Sequence, residues 1–225
     1  MGKLADFLTG TQVLEEVISP INGKITVIRS LAFGTYISVG GLTQSGGVLK
    51  NIWRKSLRQI QRTNNRAQRC LILGLGGGTA AKLVSELWPA SQRGEPSSKI
   101  TGVDLDPKMV EMGKKYLGLD DDAINVVIGD AYDFLTDHRP LTTDHFDLIL
   151  VDLYVGDEFP KKFESENFLR SLRSILAEGG FVVFNRLYSG DKRSSAVKFG
   201  NKLEKIFKKV EIVYPEANVM FICRN

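Results

Sequence analysis

The stretch LILGLGGGTAAKLV, from Leu71 to Val84, joins an apolar run to a glycine cluster and then to a segment of helical character. An apolar run before glycines is typical of a buried strand that turns tightly into a helix. The free N–H groups and positive dipole at such a helix N-terminus favour a nucleotide or another anionic ligand. The alternative is a tight turn that binds nothing. The stretch therefore predicts a strand–turn–helix unit of an α/β fold.

Strands and helices alternate after this unit, which predicts a parallel sheet with helices on both faces. The predicted strands are residues 70–73, 99–103, 124–128, 147–151 and 180–185. The predicted helices are residues 79–88, 107–117, 131–136, 164–177 and 194–208. Two final strands, VEIVY and NVMFICR, are separated only by PEA, so the last strand must run antiparallel. This is the Rossmann-like architecture of class I methyltransferases, whereas nicotinamide-binding Rossmann domains normally keep their strands parallel.

The N-terminal residues carry a different pattern. Residues 4–18 are predicted to form one or two short helices, and the runs KITVIRS and TYISVGG a β-hairpin. We therefore divide the chain into an N-terminal helix and β-hairpin region, residues 1–48, and a Rossmann-like domain, residues 49–225, which begins with a basic linker helix, residues 49–68. The apolar face of the N-terminal helix would comprise Leu4, Phe7, Leu8, Leu14 and Ile18.

Composition indicates a globular protein with an uneven distribution of charge. Hydrophobic residues make up 43% and charged residues 25% of the 225 residues. No apolar run approaches the roughly 18 residues that span a bilayer, and no signal-peptide core is present, so we expect a cytoplasmic protein without a membrane partner. Cys70 and Cys223 are expected to be buried, reduced thiols, and no cysteine or histidine spacing predicts a metal site. No Asp or Glu occurs between Glu16 and Glu86.

A row of cations follows one side of the predicted linker helix at four-residue spacing. It consists of Lys50, Arg54, Arg58, Arg62 and Arg66. The row is a solvated helix face, or it binds nucleic acid, an anionic acceptor or another subunit. Trp53, Leu57 and Ile60 are predicted to form the apolar face of the same helix.

Acidic residues follow two successive predicted strands at positions suited to a nucleotide. Thr79 replaces the third glycine of the dinucleotide fingerprint, and no P-loop motif is present. Asp104 ends the second strand, where a carboxylate accepts hydrogen bonds from ribose hydroxyls. Asp106 is predicted to cap the helix that begins at Pro107. Asp130 follows the third strand, where it accepts from an adenine amino group or caps the next helix. Together these residues predict a pocket for an adenosine with a small charged tail.

The motifs resemble those of spermidine synthase-like proteins, which have a class I methyltransferase fold after a small β-rich N-terminal region. The resemblance spans residues 20–190 and rests on YISVGGLTQSGGVLKNIW, RCLILGLGGGTAAKLV, ITGVDLDPKMVEMGKKYLGL, VVIGDAYDFL, FDLILVDLYVGDEFP and FLRSLRSILAEGGFVVFN. It implies S-adenosylmethionine or its decarboxylated form as cofactor, and a homodimer. By resemblance, the cofactor-binding residues are Gln44, Gly74, Leu75, Gly76, Gly77, Gly78, Asp104, Leu105, Asp130, Ala131 and Asp152.

Two departures from the family pattern bear on which group is transferred. The segment SGGVLKNIWRK after Gln44 contains no acid where aminopropyltransferases carry an acidic motif, and Val155 replaces the second Asp of their fourth-strand motif. Asp152 matches the first Asp of that motif, which implies a base or an orienting group; the alternative is a carboxylate that only closes the strand end. Tyr154 is a candidate contact to the acceptor, and Asp157 a candidate replacement for the acid missing at Val155.

A polyamine carries several positive charges, and its site needs several carboxylates to offset lost hydration. The cationic N-terminal region therefore favours methyl transfer. Our leading hypothesis is an S-adenosylmethionine-dependent methyltransferase with a small-molecule acceptor. The alternatives are a polyamine aminopropyltransferase that uses Asp152 and Asp157, and a nucleic-acid or partner-binding protein on a methyltransferase scaffold.

Overall fold

The structure is a computed structural model that describes residues 10–63, 67–89, 98–119, 123–137 and 145–225. A four-stranded antiparallel sheet consists of β1 to β4: Thr11–Ser19, Gly23–Ser30, Gly34–Val39 and Leu42–Gly46. A seven-stranded sheet consists of β5 to β11: Arg69–Leu73, Lys99–Asp104, Ile124–Ile128, Phe146–Val151, Leu176–Leu187, Lys209–Val213 and Asn218–Arg224. The helices α1 to α6 are Gly47–Thr63, Thr79–Leu87, Pro107–Leu117, Ala131–Asp137, Glu166–Ser174 and Lys192–Ile206. None of these helices has the length and apolar character to cross a membrane.

The seven-stranded sheet has the order β10-β11-β9-β8-β5-β6-β7. Strands β5 to β9 pair in parallel, and β11 pairs antiparallel with both β9 and β10. This confirms the predicted mostly parallel sheet with an antiparallel C-terminal strand. The chain runs from β5 outward to β7 and then returns to the other side of β5 with β8. Ligands of open α/β sheets bind at such a reversal, beyond the carboxyl ends of the strands, so the topology directs attention to the ends of β5 and β8.

Helices cover both faces of the seven-stranded sheet. Successive side chains of its central strands point to opposite faces, so neighbouring residues of one strand belong to different cores. Cys70 and Ile72 belong to the core beneath α1 and α2, and Leu71 and Leu73 to the core beneath α5 and α6. Trp53 of α1 is 1% exposed and packs in the first of these cores, as its position on the predicted apolar face requires. Both cysteines are buried free thiols, as expected.

The predicted N-terminal helix is wrong over the residues that the structure describes, while residues 1–9 lie outside them. Residues 11–19 form strand β1, which pairs antiparallel with β2. The register shifts between Val13 and Glu15, so Leu14 and Val17 both pack against the core of this sheet although they are three residues apart. The bulge therefore interrupts the strict alternation that would have indicated a strand. Ile18, placed on the apolar face of that helix, is 74% exposed. The hairpin predicted next is present as β2 and β3.

The predicted helix 164–177 is shorter in the structure. Lys161–Glu164 form a 3₁₀ turn, and Ser165 then accepts a hydrogen bond from the backbone N–H of Phe168 as the cap of α5. The strand β9 already begins at Leu176, which pairs with Phe146 before an irregularity in the ladder. Tertiary pairing therefore converts the predicted last turn of the helix into strand.

Asp106 joins the two sheets. Its Oδ1 accepts from the backbone N–H of Lys108 at 2.9 Å, which is the predicted cap of α3. Its Oδ2 accepts from Ser19 Oγ at 2.5 Å and from Asn22 Nδ2 at 2.7 Å, both at the turn between β1 and β2. Asp106 is 1% exposed, so these donors take the place of water around its carboxylate oxygens. The N-terminal sheet is thereby held at the end of β6.

Replacing Asp106 with alanine is expected to lower the free energy of unfolding by about 3 kcal/mol, because a helix cap and two buried hydrogen bonds are lost together. Urea denaturation followed by circular dichroism measures this change. Ser174→Ala removes an exposed hydroxyl at the end of α5 and is expected to stay within about 0.5 kcal/mol of the parent. Equal effects of the two substitutions would contradict the role assigned to Asp106.

Candidate active site

A cavity of ≈ 690 Å³ lies at the carboxyl ends of the parallel strands. One half lies over β5, β6 and β7, where Gly74, Asp104 and Asp130 line it. The other half lies over β8 and β9, where Asp152 and Asn185 line it. Residues from β4 and the start of α1 contribute to the same cavity, so the N-terminal region forms part of its wall.

The glycine loop after β5 permits a close crossing with the end of β8. Gly74 has a φ of +86°, and a Cβ there would lie 2.1 Å from the carbonyl oxygen of Asp152. Gly76 has a φ of +57°, and a Cβ there would lie 2.9 Å from Ser45 Oγ. Both glycines line the cavity, and the absence of side chains leaves their backbone open to a ligand.

Three other predicted cofactor residues of this loop do not line the cavity. The side chain of Leu75 is 2% exposed and belongs to the core. The N–H of Gly77 donates to Ser45 Oγ at 2.7 Å. Gly78 precedes α2 with a φ of +85°, and a Cβ there would lie 2.6 Å from Leu119. Packing accounts for these residues, and their contact with a cofactor stays a prediction.

Asp104 ends β6 beside the glycine loop, as predicted. Its Oδ2 accepts from the N–H of Gly76 at 2.6 Å, and its Oδ1 from the N–H of Asp106 at 2.9 Å. Burial raises the pKa of Asp104 to about 6, while these two backbone donors act in the opposite direction. The next residue, Leu105, is 43% exposed and lines the cavity with an apolar surface. A carboxylate beside an apolar surface suits a ribose followed by a flat base.

Asp130 follows β7 and lines the cavity together with Ala131. Its Oδ1 accepts from the N–H of Tyr132 at 2.7 Å, and its Oδ2 forms an ion pair with Lys162. Burial raises the pKa of Asp130, but the bond to Lys162 and the backbone donor outweigh it, so the pKa lies below its usual range. Asp130 therefore caps the helix that begins at Ala131. Its contact to adenine stays a prediction.

Asp152 stands immediately after β8, at the reversal of strand order. Its Oδ1 accepts from Asn185 Nδ2 at 2.8 Å, and its Oδ2 accepts from the indole Nε1 of Trp53 at 3.1 Å. Burial raises the pKa of Asp152 to about 6, against the effect of these two donors. A carboxylate poised near neutral pH at the wall of a cavity is suited to accept a proton.

Tyr154 lines the same half of the cavity but is anchored by its hydroxyl. The hydroxyl oxygen accepts from the N–H of Leu187 at 2.8 Å, and the ring lies edge-on to Phe159 at 5.5 Å between centroids. Burial raises the pKa of Tyr154 to about 12, so the phenol stays protonated. Tyr154 can shape the cavity and donate a hydrogen bond to an acceptor molecule. This role stays a prediction.

The loop after β8 makes a tight turn at the edge of the cavity. Val155 and Glu158 pair as an isolated bridge, which places Gly156 and Asp157 at the tip. Lys192, at the start of α6, pairs with Asp157 at 3.1 Å and with Glu158 at 2.5 Å. These contacts, the one to Glu158 first, raise the pKa of Lys192 above its usual value. The acid predicted to replace the one missing at Val155 is therefore already paired with a lysine.

Gln44 reaches this turn from the opposite side. Its Nε2 donates to the carbonyl oxygen of Gly156 at 3.0 Å, across the cavity that both residues line. An amide nitrogen carries two hydrogens, so one N–H of Gln44 is left for another acceptor. The predicted position of Gln44 near the tail of a cofactor fits this placement and stays a prediction.

Several residues at the site were not predicted. Trp53 was assigned only to the apolar face of its helix, and Asn185 and Asn218 were not singled out. A polar Asn185 at the end of the apolar run FVVF was a usable signal, because polar residues at the carboxyl ends of parallel strands gather at one edge. Lys162 and Lys192 gave no such signal, since their partners are 30 or more residues away in sequence.

The predicted row of cations lies on α1, except for Arg66, which is outside the described residues. Glu86 of α2 pairs with Lys50 at 3.6 Å and with Arg54 at 3.2 Å. Arg58 and Arg62 are exposed. Ion pairing thus accounts for part of the row, and binding of nucleic acid or another subunit stays a prediction.

The family model for the spermine/spermidine synthase domain matches residues 58–217. A protein from Saccharolobus islandicus named polyamine aminopropyltransferase is 26% identical over 198 residues, which are 84% of this chain and 63% of the relative. A Mus musculus protein named eEF1A lysine and N-terminal methyltransferase is 27% identical over 161 residues, which are 68% of this chain and 22% of the relative. The chain therefore spans less than two thirds of either relative.

Solved structures share the fold at low sequence identity. A probable spermidine synthase from Corynebacterium glutamicum superposes with a TM-score of 0.71 at 19% identity, covering 95% of this chain and 79% of that one. Human Methyltransferase-like protein 13, solved in complex with SAH, superposes with a TM-score of 0.59 at 22% identity, covering 79% of each chain. The fold is thus that of spermidine synthases and of a class I methyltransferase.

Proposed function

This chain belongs to the spermine/spermidine synthase domain family, and on that premise we propose that it transfers a methyl group from S-adenosylmethionine to an amine acceptor. Relatives named for polyamine aminopropyl transfer and for lysine and N-terminal methylation support an amine as the acceptor. A neighbouring fold solved with SAH, the product of methyl transfer, supports the cofactor.

In this proposal the adenosine would occupy the first half of the cavity. The open backbone at Gly74 and Gly76 would approach the cofactor, and the carboxylate of Asp104 would accept from the ribose hydroxyls. Asp130 and Ala131 would meet the adenine edge beside Leu105. When bound, S-adenosylmethionine supplies a methyl group on a sulfonium with a good leaving group.

The second half of the cavity would hold the acceptor. Asp152 would take the proton that the acceptor amine loses, and would hold its nitrogen towards the cofactor. The remaining N–H of Gln44 would donate to the carboxylate of the methionine tail, a group that the decarboxylated cofactor lacks. Tyr154 would bound the acceptor and donate a hydrogen bond to it.

The charged residues in the acceptor half of the cavity are the observation on which we favour methyl transfer over aminopropyl transfer. Asp157 and Glu158 are the first acids after the missing acid at Val155, and both are paired with Lys192. An ammonium at the edge of the cavity repels a polycation, and the acids that it occupies cannot offset the cost of dehydrating one. Lys192 reduces the negative charge that Asp152, Asp157 and Asp191 give to this half of the cavity, and we infer that this favours an acceptor that presents one amine.

Aminopropyl transfer is the second candidate, because the archaeal relative is named for it. Calorimetric titration separates the two. We expect S-adenosylmethionine to bind at least about tenfold more tightly than the decarboxylated form. Tighter binding of the decarboxylated form, with transfer to putrescine, would establish aminopropyl transfer instead. SAH formation with a lysine peptide or a small monoamine as probe would support methyl transfer.

Reversing the charge of Lys192 is expected to create an affinity for diamines. Lys192→Glu would leave Asp157 and Glu158 unpaired beside a new carboxylate, and putrescine should bind at least about tenfold more tightly than to the parent. Lys202→Glu is the matched control, since Lys202 is on the same helix, pairs with Glu164 at 3.4 Å and does not line the cavity. If both variants bound putrescine alike, Lys192 would have no part in acceptor choice.

A further inference from the structure

Four side chains form a continuous line of hydrogen bonds in which Asp152 accepts one bond on each of its two oxygens. Asn218 Nδ2 donates to Asn185 Oδ1 at 2.7 Å, and Asn185 Nδ2 donates to Asp152 Oδ1 at 2.8 Å. Trp53 Nε1 donates to Asp152 Oδ2 at 3.1 Å from the other side. The four residues come from α1, the end of β8, β9 and β11, so the line connects the helix before the seven-stranded sheet and the last strand of that sheet to the site.

The chemistry of the donors constrains the direction of the two bonds to Asp152. An indole nitrogen is a donor only, so Trp53 can approach Asp152 only by giving it a hydrogen. Asn185 directs its amide nitrogen to Asp152, since an ionised carboxylate can only accept, and its oxygen accepts from Asn218. Asp152 therefore meets two donors through Trp53 and Asn185. A protonated carboxyl would have to direct its own hydrogen away from both of them.

We propose that Trp53 is a positioning residue which, together with Asn185 and Asn218, holds Asp152 as a carboxylate and turns its unused lone pairs towards the acceptor. The proposal rests on the proposed function for its consequence, since a carboxylate in this state accepts the proton that the acceptor amine releases. The hydrogen bonds themselves are independent of the reaction. Trp53 also ties the acid-free helix α1, whose start forms part of the cavity wall, to the base of the site.

Other charged and titratable groups near Asp152 set the background for this effect. Asp104 of β6 raises the pKa of Asp152 through its negative charge. Tyr154 stands two residues further along and is itself affected by Asp152. Asp157, Asp191 and Lys192 line the same half of the cavity, and Asp157 and Lys192 are paired with each other. The donors from Trp53 and Asn185 are the contacts that oppose burial and Asp104.

Tryptophan emission tests the contact without any assay of transfer. The chain has two tryptophans, so Trp88→Phe leaves Trp53 as the reporter. We expect its emission to change with pH with a midpoint near 6, as the carboxyl beside the indole ionises. Adding Asp152→Asn should remove this transition. Emission that is flat with pH, or a midpoint that survives Asp152→Asn, would overturn the proposal.

Turnover tests the consequence. Trp53→Phe keeps an aromatic ring but removes the N–H, and should move the acidic limb of the pH–rate profile up by about one pH unit, because a hydrogen bond to the charged form is lost. Turnover would then fall about fivefold at pH 6 and stay unchanged at pH 8.5. Trp88→Phe, which replaces a 5% exposed tryptophan outside the cavity, should leave the limb in place.

A purely structural role of Trp53 would lower turnover by the same factor at every pH, and that result would overturn the proposal. Asn185→Leu provides a second variant if Trp53→Phe folds poorly, and it should raise the midpoint of the Trp53 emission by about one pH unit. If no acceptor is found and the proposed transfer fails, the emission titrations still decide whether Trp53 and Asn185 hold Asp152.

Discussion

Asp152→Asn is expected to lower the rate of transfer by at least about 100-fold while donor affinity stays within about threefold. The side chain stands at the reversal of strand order with both oxygens hydrogen-bonded and a pKa near 6. An amide of the same shape cannot take a proton from the acceptor. SAH formation at saturating donor, together with calorimetric titration of the donor, measures the two quantities separately.

Asp147→Asn is the matched control for this substitution. Asp147 lies near the opposite end of the same strand, β8, and its Oδ2 accepts from the backbone N–H of Arg69 at 2.8 Å. An asparagine oxygen can keep that bond, so the rate should be unchanged. A rate loss under tenfold for Asp152→Asn, or an equal loss for Asp147→Asn, would remove Asp152 from the role of base.

Gly74→Ala is expected to lower the free energy of unfolding by about 4 kcal/mol and to weaken donor binding at least about 100-fold. The added Cβ would meet the carbonyl oxygen of Asp152 at 2.1 Å and its carbonyl carbon at 2.7 Å, both of them backbone atoms. The ends of β5 and β8 would have to separate at the centre of the cavity. Urea denaturation and donor calorimetry report the two effects.

Gly40→Ala distinguishes this clash from backbone strain. Gly40 also has a positive φ, +57°, but a Cβ there has nothing within 4 Å. Only the cost of the left-handed conformation applies, about 1 kcal/mol, and donor binding should not change. If the two variants lost equal stability, the contact between Gly74 and Asp152 would not be what requires glycine.

Much of the seven-stranded sheet could be predicted because its pattern is local. Each buried strand, such as β5 or β8, is a short apolar run bounded by turn residues, and the three-residue link before Asn218 allows only an antiparallel return. The N-terminal sheet is harder to predict, because a bulge beside Leu14 interrupts the alternation of β1 that would indicate a strand. Periodicity cannot reveal a bulge when its partner strand is unknown.

Some residues of the candidate site could likewise be predicted from local sequence, and others could not. Gly74, Asp104 and Asp152 could be located from sequence because each directly follows a parallel strand, and the carboxyl ends of such strands meet at one edge. Trp53 and Lys192 could not, since their roles depend on which side chains they meet across the fold. The indole of Trp53 is 99 positions from Asp152 in sequence. Its place on an apolar helix face was predicted correctly, but its single polar atom determines its function.

The hydrogen-bonded line to Asp152 also has a consequence for the order of folding. Its members are far apart in the chain, so the line cannot form during early, local folding of α1 or of β5 with α2. Asn218 lies on β11, which follows β9 and β10 in the chain and pairs with both of them. A nascent chain that already holds its glycine loop would therefore still have a misoriented Asn185. Asp152 should therefore become able to accept a proton only late in folding, when β11 has paired with β9 and β10.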